Sequence, residues 1–301
     1  MSMFVEKYVR KGLEEPALGQ FRSTDDRQGY AVEAGVDARI TAALTAASPI
    51  RRLATVVRTG AGGYRNAVLE APSGDLSEIA PPSGELYANP AASQAMLDDA
   101  AFDVEAWLAS EIATEFARAE GAAFVGGSGV NQPKGFLSLP ATAQGDGTRP
   151  FGTLQFVPSG AAGAFVSGAP QDRLIDLVQA LRPPYRQGAV FVMNSATASV
   201  IRKFKTADGA FLWQPGLVTG QPDTLLGYPL VEAEDMPDIA ADSLSIAFGN
   251  FRAGYLIAER AETQILRDPY THKPFVHFYA TKRVGGQVSN SEAIKLMKFT
   301  A

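Results

Sequence analysis

The chain has 301 residues, 46% of them hydrophobic and 20% charged, with a net charge of −5. That apolar content excludes a disordered or collagen-like polypeptide and allows two lobes or one large domain with excursions. Cysteine is absent, which excludes disulfides, thiolate nucleophiles and cysteine-ligated zinc or iron–sulfur centres. The charge is unevenly spread: residues 1–60 hold nine Lys/Arg against seven Asp/Glu, 61–130 two against eleven, and 131–301 sixteen against fourteen. No segment supplies the basic face that tight nucleic-acid binding needs. No run approaches the ~18 apolar residues of a membrane span, and Glu6, Lys7, Arg10 and Lys11 interrupt any secretion signal at the start. A soluble protein made in a reducing cytoplasm is expected.

Residues 1–35 read as an arm, with a short amphipathic piece, Phe4–Lys11, running into polar sequence of little periodicity. Val36, Ile40, Ala43 and Leu44 recur at helical spacing until Ser48-Pro49, and Leu53–Val57 is a strand candidate. From Thr59 to Pro90 the chain is rich in Gly and Pro, with only short strand-like pieces at Tyr64–Leu69 and Glu85–Ala88. An extension so poor in apolar residues cannot fold well upon itself, so its order is expected to come from packing on something else, such as a partner subunit.

The clearest helix follows over Asp103–Ala123, where Val104, Leu108, Ile112 and Phe116 fall at steps of four and Asp99 or Asp103 can cap the N-terminus. Gly126-Gly127-Ser128-Gly129 ends it. Gln171–Leu181 and Ser195–Lys205 read as helices around a buried strand, Val190–Met193. Leu225–Glu232, Ser243–Phe248, Gly254–Ile257, Thr263–Leu266, Phe275–Val284 and Ala293–Lys298 read as strands, with turns at Asp268-Pro269 and Gly285-Gly286. The expected class is α+β. One compact lobe lies near 131–259, and the long helix and C-terminal strands build a second.

Candidate chemistry is sparse. The Gly126–Gly129 run follows a helix, and Lys134 is followed by Gly, so neither makes a phosphate loop. A nucleophile elbow is also missing. The two histidines, His272 and His277, lie five apart in a strand-turn-strand and are expected on opposite faces, which argues against a shared metal. The acidic cluster Glu232, Glu234, Asp235 and Asp238 lacks the spacing of a calcium loop and reads as a solvated loop. Asp98-Asp99 reads as helix-start chemistry. No catalytic residue, cofactor or metal is expected, and the chain does not read as an enzyme.

From Met96-Leu97-Asp98-Asp99 through the long helix to Leu137, the sequence resembles tailed-bacteriophage major capsid proteins of the Hong Kong 97 type. Phe124, Gly127, Gly129, Pro133, Gly135 and Leu137 fill that family's pattern after the helix. Stretches 212–237, 246–260 and 266–286 are also similar, in family order, and the flavour is that of phages and gene transfer agents of alphaproteobacterial type. The resemblance implies an N-terminal arm (1–35), a helix and strand leading into a peripheral domain (36–57), an extended E-loop (58–90) and a spine helix (91–130). An axial domain (131–259) and C-terminal strands of the peripheral domain (260–301) complete it.

The function implied is a major capsid protein that self-assembles as pentamers and hexamers into an icosahedral shell around double-stranded DNA. Its DNA contact would be free of sequence-specific binding and it would not involve a membrane. The implied partners are a scaffold or protease during assembly, and portal and head–tail connector proteins. The expected location is the virion shell, assembled in the host bacterial cytoplasm. An encapsulin-like nanocompartment shell is the alternative. The best-known relative crosslinks its shell through an E-loop lysine, but no Lys occurs between Lys11 and Lys134, so a shell without such links is expected. The start so close to the arm is expected to reflect maturation, trimming or a separate scaffold. The charge map nominates intersubunit contacts: Glu70, Asp75 and Glu78 of the E-loop with Arg51, Arg52 or Arg65 of neighbours.

Overall fold

The computed structural model describes residues 5–13, 30–31, 34–59, 64–69, 76–99, 103–150, 152–205, 223–260 and 263–301. Two seven-stranded sheets organise it.

The first sheet is built around the long strand Phe275–Val288. Tyr255–Arg260 and Gln264–Asp268 pair along one side of it, and Ser83–Ala88 and Ala91–Ser93 along the other. Thr55–Thr59 adds a parallel outer strand on Tyr255–Arg260, and Tyr30–Ala31 caps Gln264–Asp268. Strand alternation sends Val276, Phe278, Ala280, Lys282 and Val284 to one buried face. The helix Val104–Gly126 covers that face, with Trp107 edge-on to Phe278 at 6.4 Å and Phe124 edge-on to Tyr255 at 5.8 Å. Asp103 caps the helix by accepting from the Ala106 amide at 3.0 Å. Its apolar stripe also meets Val36, Ile40 and Leu44 of the helix Ala34–Ala47.

The second sheet runs, in spatial order, Thr224–Leu225, Tyr228–Glu232, Val190–Met193, Ile246–Gly249, Ile294–Lys298, Leu154–Pro158 and Ala141–Thr142. Helices Pro170–Ala180 and Ser195–Arg202 cover it, enclosing Leu174, Leu177, Phe191, Phe248, Met297 and Phe299.

Several expectations are corrected. The segment 260–301 does not stay with the first sheet: Ile294–Lys298 lies in the middle of the second, between Ile246–Gly249 and Leu154–Pro158. Its run Ile294 to Met297 is buried throughout, which only a strand covered on both faces satisfies. Conversely Tyr255–Arg260, assigned by sequence mostly to the 131–259 lobe, pairs within the first sheet.

Gly285-Gly286 is not a turn but the interior of Phe275–Val288. A side chain at Gly285 would meet the Pro82 carbonyl at 2.9 Å, and one at Gly286 the Tyr255 hydroxyl at 2.8 Å. The glycines serve close approach rather than reversal. The proposed strand Leu53–Val57 is instead the end of a short helix, Pro49–Leu53, followed by Thr55–Thr59.

The arm's opening turn, Val5–Arg10, also folds back on its own subunit. Val5, Tyr8 and Val9 join the main core, and Arg267 donates from Nε to the Val9 carbonyl at 3.0 Å. Among the described residues no helix is long and apolar enough to cross a membrane.

Candidate functional site

The Gly/Pro-rich extension does pair with itself, but only as a two-stranded ribbon in which Asn66–Leu69 lies antiparallel to Leu76–Ile79. No other strand joins it among the described residues. A two-stranded ribbon is marginal alone, so this element has the build of an arm that finishes its packing elsewhere. It leads directly into Ser83–Ala88, whose outward residue Tyr87 stacks on Tyr279 with ring centres 6.4 Å apart. Tyr87 is 66% exposed and Tyr279 43%, and the exposed Phe275 lies on the same strand as Tyr279. An apolar, aromatic sheet face next to a two-stranded ribbon suits contact with another macromolecule.

Of the residues nominated for intersubunit contact, Arg51 is overturned. It is 2% exposed and spent inside the subunit. Its Nε and Nη2 donate to Glu120 at 2.8 and 2.6 Å, and its Nη1 to Glu259 at 2.6 Å. Lys282 Nζ stands 3.4 Å from Glu259, and Arg58 reaches the same carboxylate at 3.3 Å from the sheet edge. Burial opposes the charge on Arg51, but the bonds and charges of Glu120 and Glu259 outweigh it and raise its pKa. Burial likewise works against Glu259, yet Arg51 and Lys282 hold its carboxyl below the usual range. The cluster ties the short helix, the long helix and three strands of the first sheet together.

Arg52 and Arg65 are exposed, as a contact role requires. Glu70 and Asp75 lie outside the described residues, and Glu78 falls in the ribbon strand Leu76–Ile79. The cluster Glu232, Glu234, Asp235 and Asp238 does not converge on a cation. Asp238 accepts from Asn194 at 2.7 Å, Glu234 from Ser195 at 3.1 Å, and Glu232 lies 3.5 Å from Arg202. Among the described residues no group of three or more His, Asp or Glu could hold a metal.

The two histidines are corrected too: they do not diverge, because His272 sits in the turn after Asp268, and the rings lie 5.9 Å apart.

The glycine pattern after the long helix docks the chain that follows it on the first sheet. The Gly135 amide donates to the Gly127 carbonyl at 2.9 Å, and the Lys134 amide to the Gly286 carbonyl at 2.7 Å. A side chain at Gly127 would collide with the carbonyls of Pro133 and Ala123. Phe136 wedges against Phe251 and Tyr255, at 5.4 and 6.4 Å.

A family model described as "Phage capsid family" matches residues 28–299. The chain belongs to the phage capsid family.

Among solved structures, this capsid protein is similar to the capsid of a native gene transfer agent (GTA) particle, with 46% identity and a TM-score of 0.74 over 85% of this chain and 97% of that one. The capsid of an empty GTA particle gives 46% identity and a TM-score of 0.72, covering 84% of this chain and 96% of that one. Gordonia phage Cozz, at 14% identity and TM-score 0.51 over 84% of this chain and 87% of that one, shares the fold. Comparison with curated proteins gives no match. The family and these neighbours establish the Hong Kong 97-type capsid fold and the role of a head-shell protein.

Proposed function

We propose that this capsid protein closes with copies of itself, as pentamers and hexamers, into an icosahedral head enclosing double-stranded DNA. The single observation carrying this is the 46% identity over 97% of the native GTA particle's capsid chain. The first sheet and long helix then form the peripheral domain, the second sheet with its helices the axial domain, and the ribbon the E-loop that lies on a neighbour. The N-terminal arm (1–35) lies mostly outside the described residues. Scaffold or protease, portal and head–tail connector proteins act on the same shell, which is assembled in the host cytoplasm.

The function is mechanical, with no catalysis assigned to the chain. A net charge of −5 leaves the packaged DNA confined rather than adherent. The 46% identity to the GTA capsids favours a head over a cargo compartment.

With Arg51 withdrawn, Arg52 and Arg65 remain the basic partners for Glu70, Asp75 and Glu78 of a neighbour. Exposed pairs give only about 0–1 kcal/mol each, but a closed shell repeats them many times.

Negative-stain electron microscopy with light-scattering mass tests the reading. Closed shells, pentamers or hexamers are expected, whereas a stable small dimer that never assembles overturns it. Assembly indifferent to salt would remove the charge pairing and leave apolar packing in its place.

A further inference from the structure

We propose that His272 and His277 together bind one divalent transition-metal ion. They are the only two histidines of the chain. The turn following Asp268 folds the first over the second, with ring centres 5.9 Å apart and planes inclined by 32°. Both ring nitrogens of His277 are shut off from solvent and have no hydrogen-bond partner among the described residues. A neutral imidazole offers one donor and one acceptor, and shielded polar atoms are almost always paired, so the acceptor nitrogen of His277 is available to an ion.

The spacing fits. A metal–nitrogen bond of ~2.0–2.1 Å puts each ring centre about 3.2 Å from the ion, so two rings at a tetrahedral angle stand about 5 Å apart. Closing the remaining gap needs only a small swing of His272, which lies exposed in the turn.

The charge fits as well. Asp268 pairs across the sheet with His277. The Thr271 hydroxyl and the amides of Tyr270 and Thr271 all donate to its carboxylate. Asp268 thus places negative charge beside the histidine pair. Lys273, between the histidines in sequence, is exposed.

With two imidazoles and no third ligand from the described residues, water entering past the exposed His272 completes the shell of a bound ion. Imidazole ligation selects zinc, copper or nickel over magnesium or calcium, which demand oxygen. Neighbouring Tyr270 is 81% exposed, so the ion reaches the site from bulk solvent.

The test is titration of the untagged chain with Cu²⁺ and Zn²⁺, read by calorimetry and by electron paramagnetic resonance of the Cu²⁺ form. With no cysteine and no other histidine, the chain offers no competing imidazole or thiolate. One equivalent should bind, with splitting from two imidazole nitrogens. H272Q should weaken binding at least tenfold and leave splitting from one nitrogen, and H277Q should do the same. H272Q alters only an exposed turn, so it decides the matter even if H277Q fails to fold. The absence of saturable binding, a one-nitrogen signal from the unaltered chain, or undiminished affinity in H272Q overturns the proposal.

Discussion

Arg51 holds Glu120 through two parallel hydrogen bonds, 2.8 and 2.6 Å long, where neither side chain is more than 1% exposed. The helix Pro49–Leu53 thereby spans from the long helix to Glu259 of the first sheet. Buried ion pairs add little net stability over an apolar replacement, but removing one partner strands a charge and costs about 3–5 kcal/mol. Arg51→Ala is therefore expected to lower the unfolding free energy of the isolated subunit by about that amount in urea titration. Arg51→Lys should recover only part of it, because an ammonium cannot grip Glu120 through two parallel bonds while reaching Glu259. A loss below ~1 kcal/mol for Arg51→Ala, the range of an exposed pair, would show that the cluster is solvated.

Within the same cluster Glu259 sets an acid limit, partly offset by Glu120, whose carboxyl burial pushes up. Although burial disfavours its charge, Glu259 is held below its ordinary pKa by Arg51 and Lys282. A group whose folded pKa is depressed stabilises fully above its unfolded value, ~4.3 for Glu, and loses that contribution as pH falls through the folded value. Stability should accordingly fall as pH drops below about 4, and Glu259→Gln should flatten that limb while lowering stability at neutral pH. Melting temperatures across pH 2–7 for both proteins read this out. Parallel curves would place the acid sensitivity elsewhere.

Much of this was legible in the sequence, and the misses have physical causes. Steps of four from Val104 through Phe116 gave the long helix its buried stripe, and the next step lands on Glu120. A carboxylate on an apolar stripe, like Lys282 on the buried face of an alternating strand, signals a buried pair. What the sequence withheld was the partner, since Arg51 and Glu259 lie 69 positions before and 139 after Glu120.

Periodicity also cannot say which sheet a strand joins, so Ile294–Lys298 was identified as a strand but placed with the wrong lobe. The histidines were misplaced because a regular-strand period was applied across a turn. The paired glycines misled because Gly marks both reversals and close approaches.

Gly121 on the long helix faces Asp235, whose carboxylate stands where a side chain at Gly121 would begin. Burial, then the charge of Glu234, pushes the Asp235 carboxyl up. In an unobstructed helix interior, Gly→Ala stabilises by about 1 kcal/mol. Gly121→Ala should give less than that, because Asp235 must swing away, and should recover the full gain in an Asp235→Ala background. A double-mutant cycle by urea unfolding should yield coupling of about 0.5–1 kcal/mol. Additive effects would remove the contact.

The absence of lysine from 12–133 leaves the ribbon without the amine that a lysine isopeptide requires. Particles boiled in detergent should run as a single band near 31.9 kDa. A ladder of covalent multimers would contradict this and direct attention to Lys134, the first lysine after the gap.

Tyr87 and Tyr279 separate assembly from folding. Their rings stack at 6.4 Å with planes 22° apart, yet both remain open to solvent. Truncating an exposed ring usually changes subunit stability by no more than about 0.5 kcal/mol. Tyrosine at the centre of an interface, in contrast, often accounts for 2 kcal/mol or more of binding. Tyr87→Ser should therefore leave the melting temperature of the isolated subunit nearly unchanged while raising the concentration needed for assembly, followed by light scattering. Arg51→Ala should show the reverse order, with loss of subunit stability coming first. If Tyr87→Ser assembles at the unaltered concentration, the aromatic face looks into solvent or the lumen, and the subunit contacts run through the ribbon alone.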